Sequence, residues 1–175
     1  MMKRIHLCLV LCALAVLVSG FGEAAGKPAV QWKTYAGAWF EILYPQDFKV
    51  KPSQKDRNNP AAYSSVFFTS PDGQVEFYVL SPKYGMEPVD VAWNRNQENK
   101  ISSSKKNTRG IIFEKTTVNA KDGSYMRLIE DYTDTTGTNI HTRRVFAIKY
   151  RDQDMFDKVH KLYKEFKNSL MEKRD

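Results

Sequence analysis

The stretch Phe40–Phe48, FEILYPQDF behind Trp39, limits the fold more than any other part of the chain. Phe40, Ile42 and Tyr44 recur at every second position, and side chains along an extended strand alternate between its two faces. The spacing predicts a strand with these three on a core-facing row and Glu41 and Leu43 behind it. Leu43 predicts that the second side is partly covered as well. Pro45 has no N–H and fixes its own backbone, so the strand is expected to end at Tyr44. Asp47 suits the turn that follows, and Phe48 and Val50 return apolar surface to the core. Nothing in the stretch is chemically reactive.

The chain begins like an export signal. Lys3 and Arg4 precede the apolar run Ile5–Val18, and small residues follow at Ser19, Gly20, Gly22, Ala24, Ala25 and Gly26. That order marks a secretory signal peptide. Its apolar run of about 14 residues is short of the ~20 that span a bilayer. Cleavage after Ala24 or Gly26 leaves small residues at the last and third-last positions; an uncleaved membrane anchor is the alternative. Cys12 follows the large Leu11, which disfavours lipidation.

Taking residues 1–26 as the signal leaves one domain, 27–175, of about 149 residues. A chain of that size buries enough surface to need no covalent staple. Both cysteines, Cys8 and Cys12, lie in the signal. The mature chain is therefore expected to have no disulfide, no thiol nucleophile and no sulfur-bound zinc. No cofactor and no metal is expected. Of the formal charge of +7, Lys3, Arg4 and Glu23 supply +1, so the mature part is left at about +6. An exported chain makes nucleic acid an unexpected partner despite that balance.

The remaining elements follow from period and punctuation. Lys27–Ala38 reads as a leading segment tacked down by Trp32 and Tyr35, and Lys49–Asn59 as an exposed basic loop. Tyr63–Ser70 and Gln74–Ser81 read as a hairpin around Ser70-Pro71-Asp72-Gly73, with Phe67 facing one layer and Val66 and Phe68 the other. Glu87-Pro88 predicts a helix start, and Val89, Ala92, Trp93 and Ile101 a thin apolar stripe on a helix over Val89–Lys100. Ser102–Gly110 reads as a second basic loop. Ile111–Asn119, Ser124–Tyr132 and Thr138–Tyr150 read as a three-strand meander with short turns. Asp154–Leu170 carries Phe156, Val159, Leu162, Tyr163, Phe166 and Leu170 at helical spacing, with Asp152 or Asp154 as cap. Met171–Asp175 reads as a frayed end.

This element order, with the opening Phe-x-Ile-x-Tyr-Pro-x-x-Phe of Phe40, Ile42, Tyr44, Pro45 and Phe48, resembles the PsbP-like superfamily over Ala38–Leu170. That group includes the extrinsic photosystem II subunit and DcrB-type bacterial envelope proteins. The resemblance implies an α+β fold, an antiparallel sheet of about six strands packed between helices as an α/β/α sandwich. The superfamily shares no catalytic residues, so it implies a non-enzymatic binding or assembly role. The secretory signal, without plastid-type transit features, points to a periplasmic or secreted protein of a bacterial envelope.

The residues themselves offer three constellations. A catalytic one sets His141 near Asp131 and a serine, the basis of an alternative reading as an envelope hydrolase or metal-assisted enzyme. No Gly-x-Ser-x-Gly, His-Glu-x-x-His or phosphate-loop motif supports it. The acids Asp152, Asp154 and Asp157 surround a helix start, where capping explains them without a metal. The third is basic: Arg127, His141, Arg143, Arg144 and Lys149 fall on two adjacent strands, with Arg143 and Arg144 pointing opposite ways. Arginine forks take carboxylates and phosphates in two-point contacts, which suits a small anionic ligand or an acidic envelope protein. Pairing with Glu130 and Asp131 across the strands is the competing account of the same charges.

Overall fold

Ser70-Pro71-Asp72-Gly73 folds the chain back on itself, with Gly73 at φ +71, a left-handed backbone that glycine adopts without a Cβ penalty. The turn joins strand β4 (Ser65–Thr69) to β5 (Val75–Leu80). The computed structural model describes residues 30–137 and 142–173. Within them the hairpin lies inside a seven-stranded sheet, ordered β3-β4-β5-β9-β8-β7-β6. The other members are β3 (Lys49–Pro52), β6 (Glu98–Thr108), β7 (Ile111–Ala120), β8 (Met126–Asp134) and β9 (Thr142–Tyr150). Every neighbour pair is antiparallel, and β7, β8 and β9 form the expected meander.

One face of this sheet is covered by helix α1 (Gln153–Asn168). Asp152 caps the helix, its Oδ1 accepting the Met155 N–H at 2.9 Å. Tyr163 and Phe166 are buried, and Phe166 lies 5.1 Å from Phe77, 5.5 Å from Phe68 and 6.2 Å from Phe146 between ring centroids. Val66 and Phe68 turn to this helix face and Phe67 to the other, where its ring meets Tyr78 at 4.8 Å.

Beside α1 sits a second, three-stranded sheet, β1-β2-β10. Its centre is β2 (Phe40–Pro45), with Phe40 and Ile42 buried in the core shared with α1 and Leu43 at the surface. The expected row of Phe40, Ile42 and Tyr44 is therefore in place. Its neighbours are β1 (Trp32–Ala36) and β10 (Met171–Glu172), which sequence patterning reads as a leading segment and a frayed end. Both are too short or too polar to show a period. They are strands because β2 offers two open edges, and the Lys173 N–H also donates to the Trp39 carbonyl at 2.8 Å.

The expected helix over Val89–Lys100 does not form. Val89–Val91 is a single 3-10 turn, and Glu98 already belongs to β6. The predicted stripe has no surface to bury against, since Val89 and Ile101 are 66% and 54% exposed. Instead residues 81–97 run as an irregular strap over the second face, where Met86 and Val91 pack on Tyr78, Leu80, Val145 and Ala147. The expected helix–sheet–helix sandwich is thus a helix on one side and a strap on the other.

The two basic loops are corrected too. Lys49–Asn59 starts as β3, and its Asp56 is 5% exposed. That carboxylate accepts from Ser64 Oγ, the Asn58 and Asn59 N–H groups and Trp39 Nε1, at 2.7 to 3.0 Å. Burial alone would raise its pKa; the four donors outweigh it and hold the carboxyl below its usual range. Ser102–Gly110 is mostly β6, joined to β7 by the two-residue turn Arg109-Gly110, with φ +52 and +82. Positive φ at both central positions suits the twist of a tight hairpin.

Phe166 is central to the contacts that hold α1 to the sheet. Phe166→Ala is expected to cost about 3–5 kcal/mol, read as a lowered denaturant midpoint at unchanged slope. A loss below about 1 kcal/mol would show that α1 does not clamp the sheet.

Candidate functional site

The strap face carries charge in a cross-strand row. Register places Glu76 opposite Lys149, Lys149 opposite Arg127, and Arg127 opposite Val118. Two cations side by side repel, so the row holds only with acids at hand. Glu98, buried at the start of β6, supplies one: both its carboxylate oxygens accept from Arg127 Nη2, at 2.7 and 2.8 Å. Tyr125 OH donates to the same carboxylate at 2.9 Å. Burial and then that carboxylate raise the Tyr125 pKa. Arg127 Nη2 also reaches the Ala92 carbonyl of the strap at 3.3 Å, and its buried Nε has no acceptor among the described residues.

The strap is pinned over this row by Asp90. Its Oδ1 accepts from Ser53 Oγ at 2.9 Å, and its Oδ2 from Ser65 Oγ, Gln54 Nε2 and Tyr78 OH at 2.9, 3.1 and 3.2 Å. Burial, followed by the Asp90 charge, pushes the Tyr78 phenol well up, so it stays a donor. Between strap and sheet lies a cavity of ≈ 190 Å3, walled by Phe67, Val91 and Ala147 and by the polar groups of Glu76, Tyr78, Asp90, Tyr125, Arg127 and Lys149. Lys149 is its least committed charge. Its Nζ is 3.4 Å from Glu76 Oε1 and 5.5 Å from the Tyr125 ring centre, with 41% of the side chain exposed.

The five basic residues singled out from sequence do not form one patch. Arg127 and Lys149 share the cavity just described. Arg143 lies on the same face but further along, held by three contacts to Asp131 at 2.5 to 3.1 Å and one to Glu87 at 2.7 Å. Arg144 points to the helix face, its guanidinium 5.3 Å from the Tyr132 ring centre and 3.9 Å from Glu172. There it lines a second groove of ≈ 300 Å3 with Tyr132, Phe146, Lys167, Asn168 and Leu170. Lys167 is drawn to the buried Glu130, which also accepts from Tyr163 OH at 3.2 Å. His141 lies outside the described residues, and its notional partner Asp131 is engaged by Arg143.

Among Asp152, Asp154 and Asp157, Asp152 is the helix cap and Asp157 accepts from Gln153 Nε2 at 2.8 Å. No group of three metal-ligating side chains is present among the described residues. No helix there is long and apolar enough to cross a membrane.

Sequence reasoning missed Glu76, Tyr78, Asp90 and Glu98. Counting alternate positions outward from the Gly73 turn and the Ala120–Gly123 turn reaches Glu76, Tyr78 and Arg127 on one face. Glu98 and Asp90 had no such signal, because both sit in the stretch that mimics a helix.

Neither a family model nor a curated protein matches this sequence. Solved structures do resemble it. One is the solution structure of cyanobacterial PsbP from Synechocystis sp. PCC 6803, with TM-score 0.45 and 13% identity, covering 87% of this chain and 98% of that one. Another is the Saccharomyces cerevisiae Ran-binding protein Mog1p, with TM-score 0.41 and 8% identity, covering 82% and 96%. Both likenesses span most of this chain at low identity.

The Glu98–Arg127 pair is the structural base of the cavity. Its side chains are 1% and 12% exposed, so Glu98→Ala strands a buried guanidinium and is expected to cost about 3–5 kcal/mol. Adding Arg127→Met should restore most of that loss in the same denaturant titration. A double variant as unstable as the single one would contradict the pairing.

Proposed function

We propose that this chain is an exported, non-catalytic binding or assembly protein of the cell envelope, allied to the PsbP-like superfamily, whose ligand sits beneath the strap. The buried seating of Phe40 and Ile42 in the FEILYP strand supports the alliance. The cleft supports the binding role, and one contrast within it carries the reading. Arg127 is tied to Glu98 and Asp90 to four donors, whereas Lys149 and Glu76 face each other at 3.4 Å and are partly exposed, with Thr69 Oγ1 donating to the other Glu76 oxygen at 3.2 Å. A ligand can take those two without breaking a buried bond.

The chemistry of the pair defines the ligand. Lys149 offers an ammonium for a carboxylate or phosphate, and Glu76 beside it rejects a bare dianion and accepts a donor. Phe67, Val91 and Ala147 supply an apolar wall. The cavity is somewhat larger than the ~150 Å3 hole that takes up benzene in an engineered core. A small zwitterion of amino-acid size fits these terms, with its carboxylate on Lys149 and its ammonium on Glu76.

Titration of the 15N-labelled protein with free amino acids, followed by amide shifts, tests this. Shifts are expected at Glu76, Tyr78, Tyr125 and Lys149, and Lys149→Met should weaken binding at least tenfold, about 1.4 kcal/mol. The proposal fails if no amide of the row responds, or if Lys149→Met binds as well as the native chain.

A further inference from the structure

The seven-stranded sheet ends on two very different edges. At one, β3 is four residues long and closes on Pro52. Shortness and proline are ordinary ways of blunting a strand edge. At the other, β6 runs eleven residues without a proline, and every residue from Asn99 to Thr108 is exposed. Its ladder to β7 shifts once, between Lys100 and Ser102, and then continues in register from Ser102 opposite Thr117 to Thr108 opposite Ile111. At ~3.4 Å per residue, Ser102–Thr108 presents roughly 24 Å of regular edge.

Nothing apolar explains why this segment is extended. Ser102-Ser103-Ser104-Lys105-Lys106-Asn107 are poor strand formers, and none of them is buried. Beyond Glu98, the strand is held by its ladder to β7, a Ser103–Thr116 hydroxyl contact at 3.2 Å and the tight Arg109-Gly110 turn. A second ladder on its free side would satisfy the outward N–H and C=O groups in a form already extended, without a new ordering cost on this side.

Charge selects what adds there. Lys100, Lys105, Lys106 and Arg109 lie along β6 and its turn. Glu98 at its start is consumed by Arg127, and Glu114 on β7 stands 4.0 Å from Lys105 as an exposed pair. A second copy of β6 would bring lysines against lysines. We infer that β6 is a docking edge for an extended acidic segment of another protein, which joins the sheet as an eighth strand. This surface is separate from the cleft and stands or falls independently of it.

The test uses an alternating Glu-Thr decapeptide on the 15N-labelled chain at about 0.01 M salt, where exposed charges still act over ~30 Å. A second peptide of the same sequence carries N-methyl groups on alternate amides, which keeps the charge and removes ladder donors. Expected are shifts confined to β6 and the β7 residues beside it, with binding at least tenfold weaker for the N-methylated peptide. The double variant Lys105→Glu/Lys106→Glu, at two exposed positions, should weaken binding to a similar degree. The inference is overturned by equal binding of both peptides, by shifts spread over the basic surface, by no binding, or by self-association of the chain through β6 in place of peptide binding.

Discussion

The packing of one helix on one face of the sheet is the constraint from which the rest follows. No cysteine lies between residues 30 and 173, so no disulfide assists the described fold. Cohesion comes from Phe166 and Tyr163 of α1 set among Phe68, Phe77 and Phe146, with Phe40 and Ile42 of the small sheet closing the same cluster. Aromatic side chains bury the most area per residue, which suits a core that has no other staple. Once that face is sealed, the strap face and the far strands are free to carry polar groups.

That freedom is used in a particular way. The row Glu76, Lys149 and Arg127 crosses three strands, and Glu98 enters from a fourth to settle the inner cation. Ions drawn partly out of water persist when paired and hydrogen-bonded, and the half-buried Arg127 and Asp90 meet that condition. The pair left over is nearest to solvent. A cleft whose inner charges are locked and whose outer pair is loose is a rigid holder with one adjustable contact, which is the usual economy of a binding site.

Much of this was legible in residue order, where local chemistry decides the outcome. Alternation placed Phe40 and Ile42 inside, and the Pro-Asp-Gly turn located the β4–β5 hairpin. The 3.6 spacing of Phe156, Val159, Tyr163 and Phe166 located α1, and parity sent Arg143 and Arg144 to opposite faces. The stretch 89–108 was misread for a physical reason. Val89, Ala92 and Trp93 recur at helical spacing, yet Trp93 is held between cations, with Lys100 Nζ 4.3 Å and Arg95 5.0 Å from its ring centre, and not against a helix-packing surface. β6 has no strand signature at all, because its conformation comes from β7 and not from its own side chains. The site shared that blindness: Arg127 and Lys149 were visible, but Glu98 lies 29 positions from Arg127, and Asp90 lies 12 to 37 positions from the four groups that donate to it.

The division between a sealed centre and an ungirded edge is open to direct measurement by native-state amide hydrogen exchange. Amides of β5, β8 and β9, flanked on both sides and sealed by α1, are expected to exchange only through global unfolding. The β6 amides that pair with β7 are expected to exchange through a smaller opening, several kcal/mol below it, that leaves the centre intact. Equal protection of β6 and β5 would contradict the account, since it would mean that the exposed edge is held by something other than its single ladder.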